Sequence, residues 1–122
     1  MAATRDTIFP RRIAWRGTAK ADFEAFPREV QREMGYALYL AQIGGRHAVM
    51  AKTLKGFGGG SIVEVRESDA AGTYRAVYTV RFADAVYVLH AFQKKSTEGI
   101  KTPKREIDLV ESRLKNLKEM LR

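Results

Sequence analysis

Alternation is the feature that most limits how this chain can fold, and it is cleanest from Gly72 to Phe82. Tyr74, Ala76, Tyr78, Val80 and Phe82 share one side of an extended chain, while Thr73, Arg75, Thr79 and Arg81 share the other, with Val77 the only interruption. A period of two over that length specifies a strand. Upstream, Ile62–Glu67 alternates as well, setting Val63 and Val65 against Glu64 and Arg66. With Ser68–Gly72 reversing the chain, the two strands pair as a hairpin. If both apolar sets enter the core, the opposite face lies open to solvent and collects Glu64, Arg66, Arg75 and Arg81. A carboxylate among guanidinium groups suits the handling of phosphate.

The remaining elements arrange themselves around this hairpin. Arg12–Arg16 reads as a short first strand with Ile13 and Trp15 on one face. Thr18 is placed to cap a helix from Ala19 to Ala25, anchored by Phe23 and Phe26. Pro27 suits the first turn of a second helix, along which Val30, Met34, Ala37, Leu38 and Ala41 recur at helical spacing until Gly44-Gly45 ends it. After the strand pair, Ala83-Asp84 turns the chain into Ala85–Phe92, an apolar run expected to be a central strand antiparallel to its predecessor. Gln93-Lys94-Lys95-Ser96 then leaves the sheet. Thr102-Pro103 is a cap and first-turn pair for a last helix, whose stripe is Ile107, Val110, Leu114, Leu117 and Leu121. The order β-α-α-β-β-β-α predicts an α+β fold: a small antiparallel sheet with an N-terminal helical hairpin and a C-terminal amphipathic helix. At 122 residues and 45% hydrophobic, the chain is expected to form a single domain over residues 1–122.

Charge narrows the partners. Lys and Arg outnumber Asp and Glu by 22 to 14, a net charge of +8. That balance favours nucleic acid or an acidic protein; membrane is the weakest option, because no segment joins a basic face to a strongly apolar one. A purely solubilising role is the bland alternative. There is no cysteine. Disulfides and thiolate metal sites are therefore excluded, and a reducing cytoplasm is the default compartment. Met1–Asp6 lacks the apolar core of a signal peptide, and no apolar run approaches the roughly 20 residues of a membrane helix.

The chemical candidates are few. Only His47 and His90 are present, without metal-binding spacing, so neither a metal nor any other cofactor is expected. Strand parity puts His90 beside Val88 and Phe92, facing away from Lys95. Two readings of His90 stand: a satisfied, half-buried histidine, or a general acid. The stretch Gly45–Gly60 is polar, basic and glycine-rich, but it holds neither a P-loop nor a complete G-x-G-x-x-G pattern. It reads as a mobile loop bringing cations such as Lys52 and Lys55 to the sheet edge. Lys94 and Lys95 are either a solvated strand end or cations delivered to the Arg66/Arg75 face. The tyrosines at 36, 39, 74, 78 and 87 sit in apolar patterns and read as core or rim.

Taken in order, Leu54-Lys55-Gly56-Phe57-Gly58, Val63-Glu64-Val65-Arg66, Tyr74-Arg75-Ala76-Val77-Tyr78, Leu89–Lys95 and Thr102–Ile107 resemble the RelE/ParE toxin superfamily. The resemblance spans roughly residues 13 to 115 and is to the HigB-like, phage-related branch of type II toxin-antitoxin systems. It implies a ribosome-associated mRNA endoribonuclease held inactive by a cognate antitoxin, often of helix-turn-helix type. It also implies that Arg75 contacts the scissile phosphate and that Lys95, less clearly Lys94, assists. Where RelE carries two lysines on the strand before the turn, this chain has Ile62 and Glu64, so the RelE proton-transfer scheme does not carry over. Glu64 is then either the candidate base or a structural partner of Arg66 or Arg75.

The expected reaction is attack by the RNA's own 2′-OH on the adjacent phosphate. Arg75, Glu64, Lys95 and His90 are its catalytic candidates; Lys52, Lys55, Arg66, Arg81 and Lys94 are its RNA contacts. Two alternatives remain from other classes. One is a ParE-like inhibitor of DNA gyrase that cuts nothing, and the other is a non-toxic phage protein that binds nucleic acid.

Overall fold

The computed structural model describes residues 8–95 and 101–122; Met1–Asp6 and Ser96, both read above, lie outside them. Five strands, β1 (Arg12–Trp15), β2 (Ala51–Thr53), β3 (Ile62–Asp69), β4 (Gly72–Thr79) and β5 (Ala85–Lys94), form one sheet in the order β1-β5-β4-β3-β2. Three helices complete the described chain: α1 (Ala19–Glu24), α2 (Arg28–Gln42) and α3 (Lys104–Met120). The fold is α+β, with a mostly antiparallel sheet.

The expected β3–β4 hairpin forms, pairing Val63 with Tyr78, Val65 with Ala76 and Arg66 with Arg75, and the ladder extends into the stretch read as its turn, through Asp69 and Gly72. Its loop is Ala70-Ala71, tied by the Ala71 amide donating to Asp69 Oδ1 at 2.8 Å. Gly72 is required where it stands. Its φ is +139°, and a Cβ there would lie 2.6 Å from the Lys94 carbonyl oxygen on β5.

Both faces of the sheet are covered. On one, Val30, Met34, Ala37, Leu38 and Ala41 of α2 pack with Phe23 of α1 and Phe26 against Val63, Val65, Tyr74, Ala76 and Tyr78. Aromatic rings line this layer, with Phe26 meeting Tyr74 edge-on at 5.0 Å. On the other, Val110, Leu114 and Leu117 of α3 pack on Leu54, Ile62, Val77, Tyr87 and Leu89. The helical stripes read from the sequence are the buried ones, except that Ile107 is half-buried and Leu121 is exposed. The sheet face expected to be open is therefore roofed by α3, and Val77, the interruption in the alternation, is one of the residues that α3 covers.

Several boundaries differ from expectation for identifiable reasons. β2 lies inside the stretch read as a loop; three residues are too short to show alternation, and pairing of Ala51 with Val65 makes it a strand. β1 adds at the sheet edge parallel to β5, while the other strand pairings of the sheet are antiparallel. β4 ends at Thr79, and Phe82 packs beside Tyr87 on the α3 side at 5.8 Å. β5 continues to Lys94. Thr18 stands at the N-cap of α1 as expected but makes no side-chain cap bond; its hydroxyl donates to the Asp22 carboxylate at 2.7 Å.

The most consequential difference is a bulge in β5. Val77 pairs with His90 and Tyr78 with Val88, leaving Leu89 as the extra residue. Val86 and Val88 face α2, Leu89 faces α3, and beyond the bulge the parity inverts so that Ala91 faces the α1/α2 layer. His90 is thereby turned to the α3 side, opposite to the face that unbroken alternation assigns it.

Candidate functional site

On the α3 side the sheet register creates two rows of paired residues across the strands. One runs Lys52, Glu64, Val77, His90; the next runs Arg66, Arg75, Phe92. Directly paired residues project from the same face, so the register itself gathers the polar side chains around β3 and β4. Glu64 and Arg75 are buried, at 1% and 2% exposure. Arg66 Nε donates to Glu64 Oε1 at 2.7 Å, and Arg75 Nη1 lies 3.5 Å from the same oxygen. Arg75 Nη1 also donates to Thr102 Oγ1 at 3.3 Å, and Thr102 in turn donates to Glu64 Oε2 at 2.8 Å. Burial pushes the Arg75 guanidinium below its ordinary range; Glu64 opposes that shift and Arg66 adds to it.

Thr102 was read as the cap of α3. The helix begins with Pro103 at the N-cap and has no side-chain cap. Forgoing a cap costs about 1 kcal/mol, and a hydrogen bond to a buried carboxylate stabilises by roughly 1.5–3 kcal/mol. The exchange favours the latch onto Glu64, and it fixes where α3 starts above the sheet.

The next turn of α3 engages His90, which is buried. His90 Nε2 lies 2.6 Å from Glu106 Oε1, its ring stacks on Phe92 at 5.1 Å, and Arg113 Nη1 lies 3.3 Å from Nδ1. Because arginine only donates, Nδ1 accepts, and Nε2 carries the proton directed at Glu106. Arg113 also donates to the Leu89 carbonyl at 2.9 Å and to Thr18 Oγ1 at 3.2 Å, so it ties α3 to the β5 bulge and to α1. Gly17 leaves room for this arrangement: a Cβ there would stand 2.6 Å from Arg113 Nε.

A cleft of about 430 Å³ opens where β5 ends, lined among others by Phe92, Lys94, Lys95, Arg105 and Glu106. Lys94 Nζ donates to the Lys101 carbonyl at 3.2 Å, and Arg105 Nε lies 3.5 Å from Glu106 Oε2. Lys95 is exposed. The cleft therefore combines three cationic side chains with one carboxylate.

Of the sequence candidates, Glu64, Arg66, Arg75 and His90 are brought to one face, with Lys94 and Lys95 at its end. Lys52 neighbours Glu64 in the register and is exposed. Arg81 and Lys55 are not brought in. Arg81 follows the far end of β4, and Lys55 follows Leu54, whose amide bonds Ile62, the partner of Thr79 at that same far end. At ~3.3 Å per residue, Arg75 and Arg81 are about 20 Å apart along the chain direction. Glu106, Arg113 and the latching role of Thr102 escaped the sequence reading. Their partners lie 16, 23 and 38 residues away, and no local spacing signals such pairs.

Among the described residues, no group of three or more His, Asp or Glu side chains comes together to hold a metal ion, and no helix is long and apolar enough to cross a membrane. Residues 21–115 match the family described as phage derived protein Gp49-like (DUF891). Among solved structures, the chain is similar to the RelBE2 toxin-antitoxin complex from Mycobacterium tuberculosis, at 17% identity and a TM-score of 0.48, with 75% of this chain and 99% of that chain covered. No curated protein matches at a significant level.

Proposed function

The chain belongs to the phage-derived Gp49-like family, a family of RelE-type toxins, and on that premise we propose that it is the mRNA-cutting toxin of a toxin-antitoxin pair. The observation that carries this reading is the cleft at the end of β5, where Lys94, Lys95 and Arg105 surround Glu106. Across the same sheet face, Arg75 on β4 pairs with Phe92 of the cleft, and Arg66 and Glu64 stand one strand further on, on β3. A phosphodiester entering this region meets clustered positive charge on a rigid sheet. Such charge stabilises the extra negative charge that develops on phosphorus when a 2′-OH attacks it.

Within this reading Arg66, Lys94 and Lys95 contact the RNA backbone, and Lys52 extends the track across β2. Arg75 acts from behind. Its Nη1 is engaged by Glu64 and Thr102 and its side chain is buried, so it holds the face together and sets the field at the cleft rather than meeting solvent. Glu64, already engaged by Arg66, Arg75 and Thr102, is the structural partner of those arginines. The substrate is mRNA presented on the ribosome in the cytoplasm, and a cognate antitoxin, of helix-turn-helix type, covers the basic surface. Inducing the chain in a bacterium and mapping mRNA 5′ ends tests the reading: new ends within open reading frames support it, and intact transcripts in growth-arrested cells defeat it.

One observation favours a second reading, the ParE-like inhibitor. Arg75, the residue that the family resemblance places on the scissile phosphate, is 2% exposed beneath α3. A supercoiling assay with purified gyrase, run beside the RNA mapping, separates the two.

A further inference from the structure

Any 2′-OH attack needs a group to take the hydroxyl proton, and two carboxylates among the described residues, Glu64 and Glu106, stand near the cationic face. Glu64 is sealed at 1% exposure, with Oε1 engaged by Arg66 and Arg75 and Oε2 by Thr102. A carboxylate so enclosed cannot reach a substrate hydroxyl. Glu106 is placed differently. Its side chain is 16% exposed and it lines the cleft with Lys94, Lys95 and Arg105. Its Oε1 accepts the hydrogen bond of His90 Nε2–H at 2.6 Å, which fixes the carboxylate, while Oε2 lies 3.5 Å from Nε of Arg105, which also lines the cleft.

We propose that Glu106, oriented by His90, is the general base of the RNA-cutting reaction; this inference rests on the nuclease reading above. Oε2 takes the proton from the 2′-OH as the O2′–P bond forms and the P–O5′ bond breaks. The departing 5′-oxygen takes a proton from the Lys95 ammonium, and solvent returns Glu106 and Lys95 to their starting states. Lys94 and Arg105 hold the non-bridging oxygens. His90 does not meet substrate, since both ring nitrogens are engaged by α3; it is a positioning residue, and Arg113 fixes its tautomer by donating to Nδ1. The β5 bulge is what allows this, because unbroken alternation would point His90 at α2.

The test uses the full chain on a short mRNA, free and in the decoding site of a programmed ribosome, with three readouts. The first is the cleavage rate, the second is affinity for the same RNA carrying a 2′-deoxy nucleotide at the cut, and the third is the rate on RNA with sulfur replacing the 5′-leaving oxygen, which departs without an acid. Glu106→Gln is expected to lower cleavage about 100-fold or more, to stay equally defective on the sulfur substrate, and to bind the deoxy RNA as the wild type does. His90→Gln is expected to lower the rate constant while leaving deoxy-RNA affinity unchanged. Cleavage by Glu106→Gln within about threefold of wild type overturns the proposal, and so does its rescue by the sulfur leaving group, which would make Glu106 an acid. Should Glu106→Gln lose the deoxy RNA as well, Glu106→Asp decides. Recovered binding with measurable cutting supports the base, whereas recovered binding with no cutting overturns it. A wild-type chain that leaves RNA intact in both settings defeats the nuclease reading itself, and this inference with it.

Discussion

Thr102 and Glu64 lie 38 residues apart and are joined by a 2.8 Å hydrogen bond, with the Thr102 hydroxyl donating to Glu64 Oε2. That bond places the start of α3 over the middle of the sheet. It leaves α3 uncapped, closes the carboxylate away from water, and brings the following turn, with Glu106, up to His90. Thr102→Val removes the donor while keeping the shape, and is expected to cost about 1–3 kcal/mol in urea unfolding. A variant as stable as wild type would mean that the latch contributes nothing.

Arg75 is expected to behave as a buried partner of Glu64. Arg75→Ala strands a carboxylate at 1% exposure with one cation fewer, which should destabilise the fold by roughly 3–5 kcal/mol. An open second face, as the alternation by itself implies, would instead leave the fold indifferent to this change. A cycle of Glu64→Gln, Arg75→Met and the double variant, read by chemical denaturation, should show coupling of about 1 kcal/mol or more. Additive effects would contradict the pairing.

The cations should divide by position. Arg66, with a side chain 27% exposed, shares a cross-strand row with Arg75 and with Phe92 of the cleft, whereas Arg81 and Lys55 follow the far strand ends. Arg66→Ala should weaken RNA binding across sequences and reduce the salt slope by about 1. Arg81→Ala and Lys55→Ala should leave cleavage unchanged, measured at equal ionic strength. Equal losses at all three positions would show that only overall charge matters.

How much of this was legible in the sequence can be traced residue by residue. Tyr74, Ala76, Tyr78, Val63 and Val65 were assigned correctly because period-two burial is recorded locally, and the α2 stripe was correct for the same reason at helical spacing. Arg75 and Glu64 were put on the right face, but that face was judged open, since nothing local says where α3 will land. His90 was put on the wrong face. One extra residue, Leu89, inverts the parity of a strand, and the apolar run Ala85–Phe92 has too few polar positions to reveal the slip. Glu106 and Arg113 looked like ordinary charges of an amphipathic helix, and only the docking of α3 on the bulge gives them a role.

A partner that neutralises the +8 chain should be acidic where it meets the cleft. Co-expression with the products of neighbouring genes should yield one that co-purifies and relieves growth arrest, with an association rate falling steeply as salt is raised. No neighbour that binds or relieves would remove the toxin-antitoxin pairing.

The central claim is that RNA is cut by its own 2′-OH on this face, and the chemistry of the ends reports it most directly. RNA incubated with the chain, on the ribosome where required, should yield a 2′,3′-cyclic phosphate or the 3′-phosphate derived from it, together with a 5′-OH. A single 2′-deoxy substitution at the cut nucleotide should stop the reaction without abolishing binding. Recovery of 5′-phosphate ends, or cleavage of the deoxy substrate at an unchanged rate, would require an activated water in place of the 2′-OH and would contradict the account.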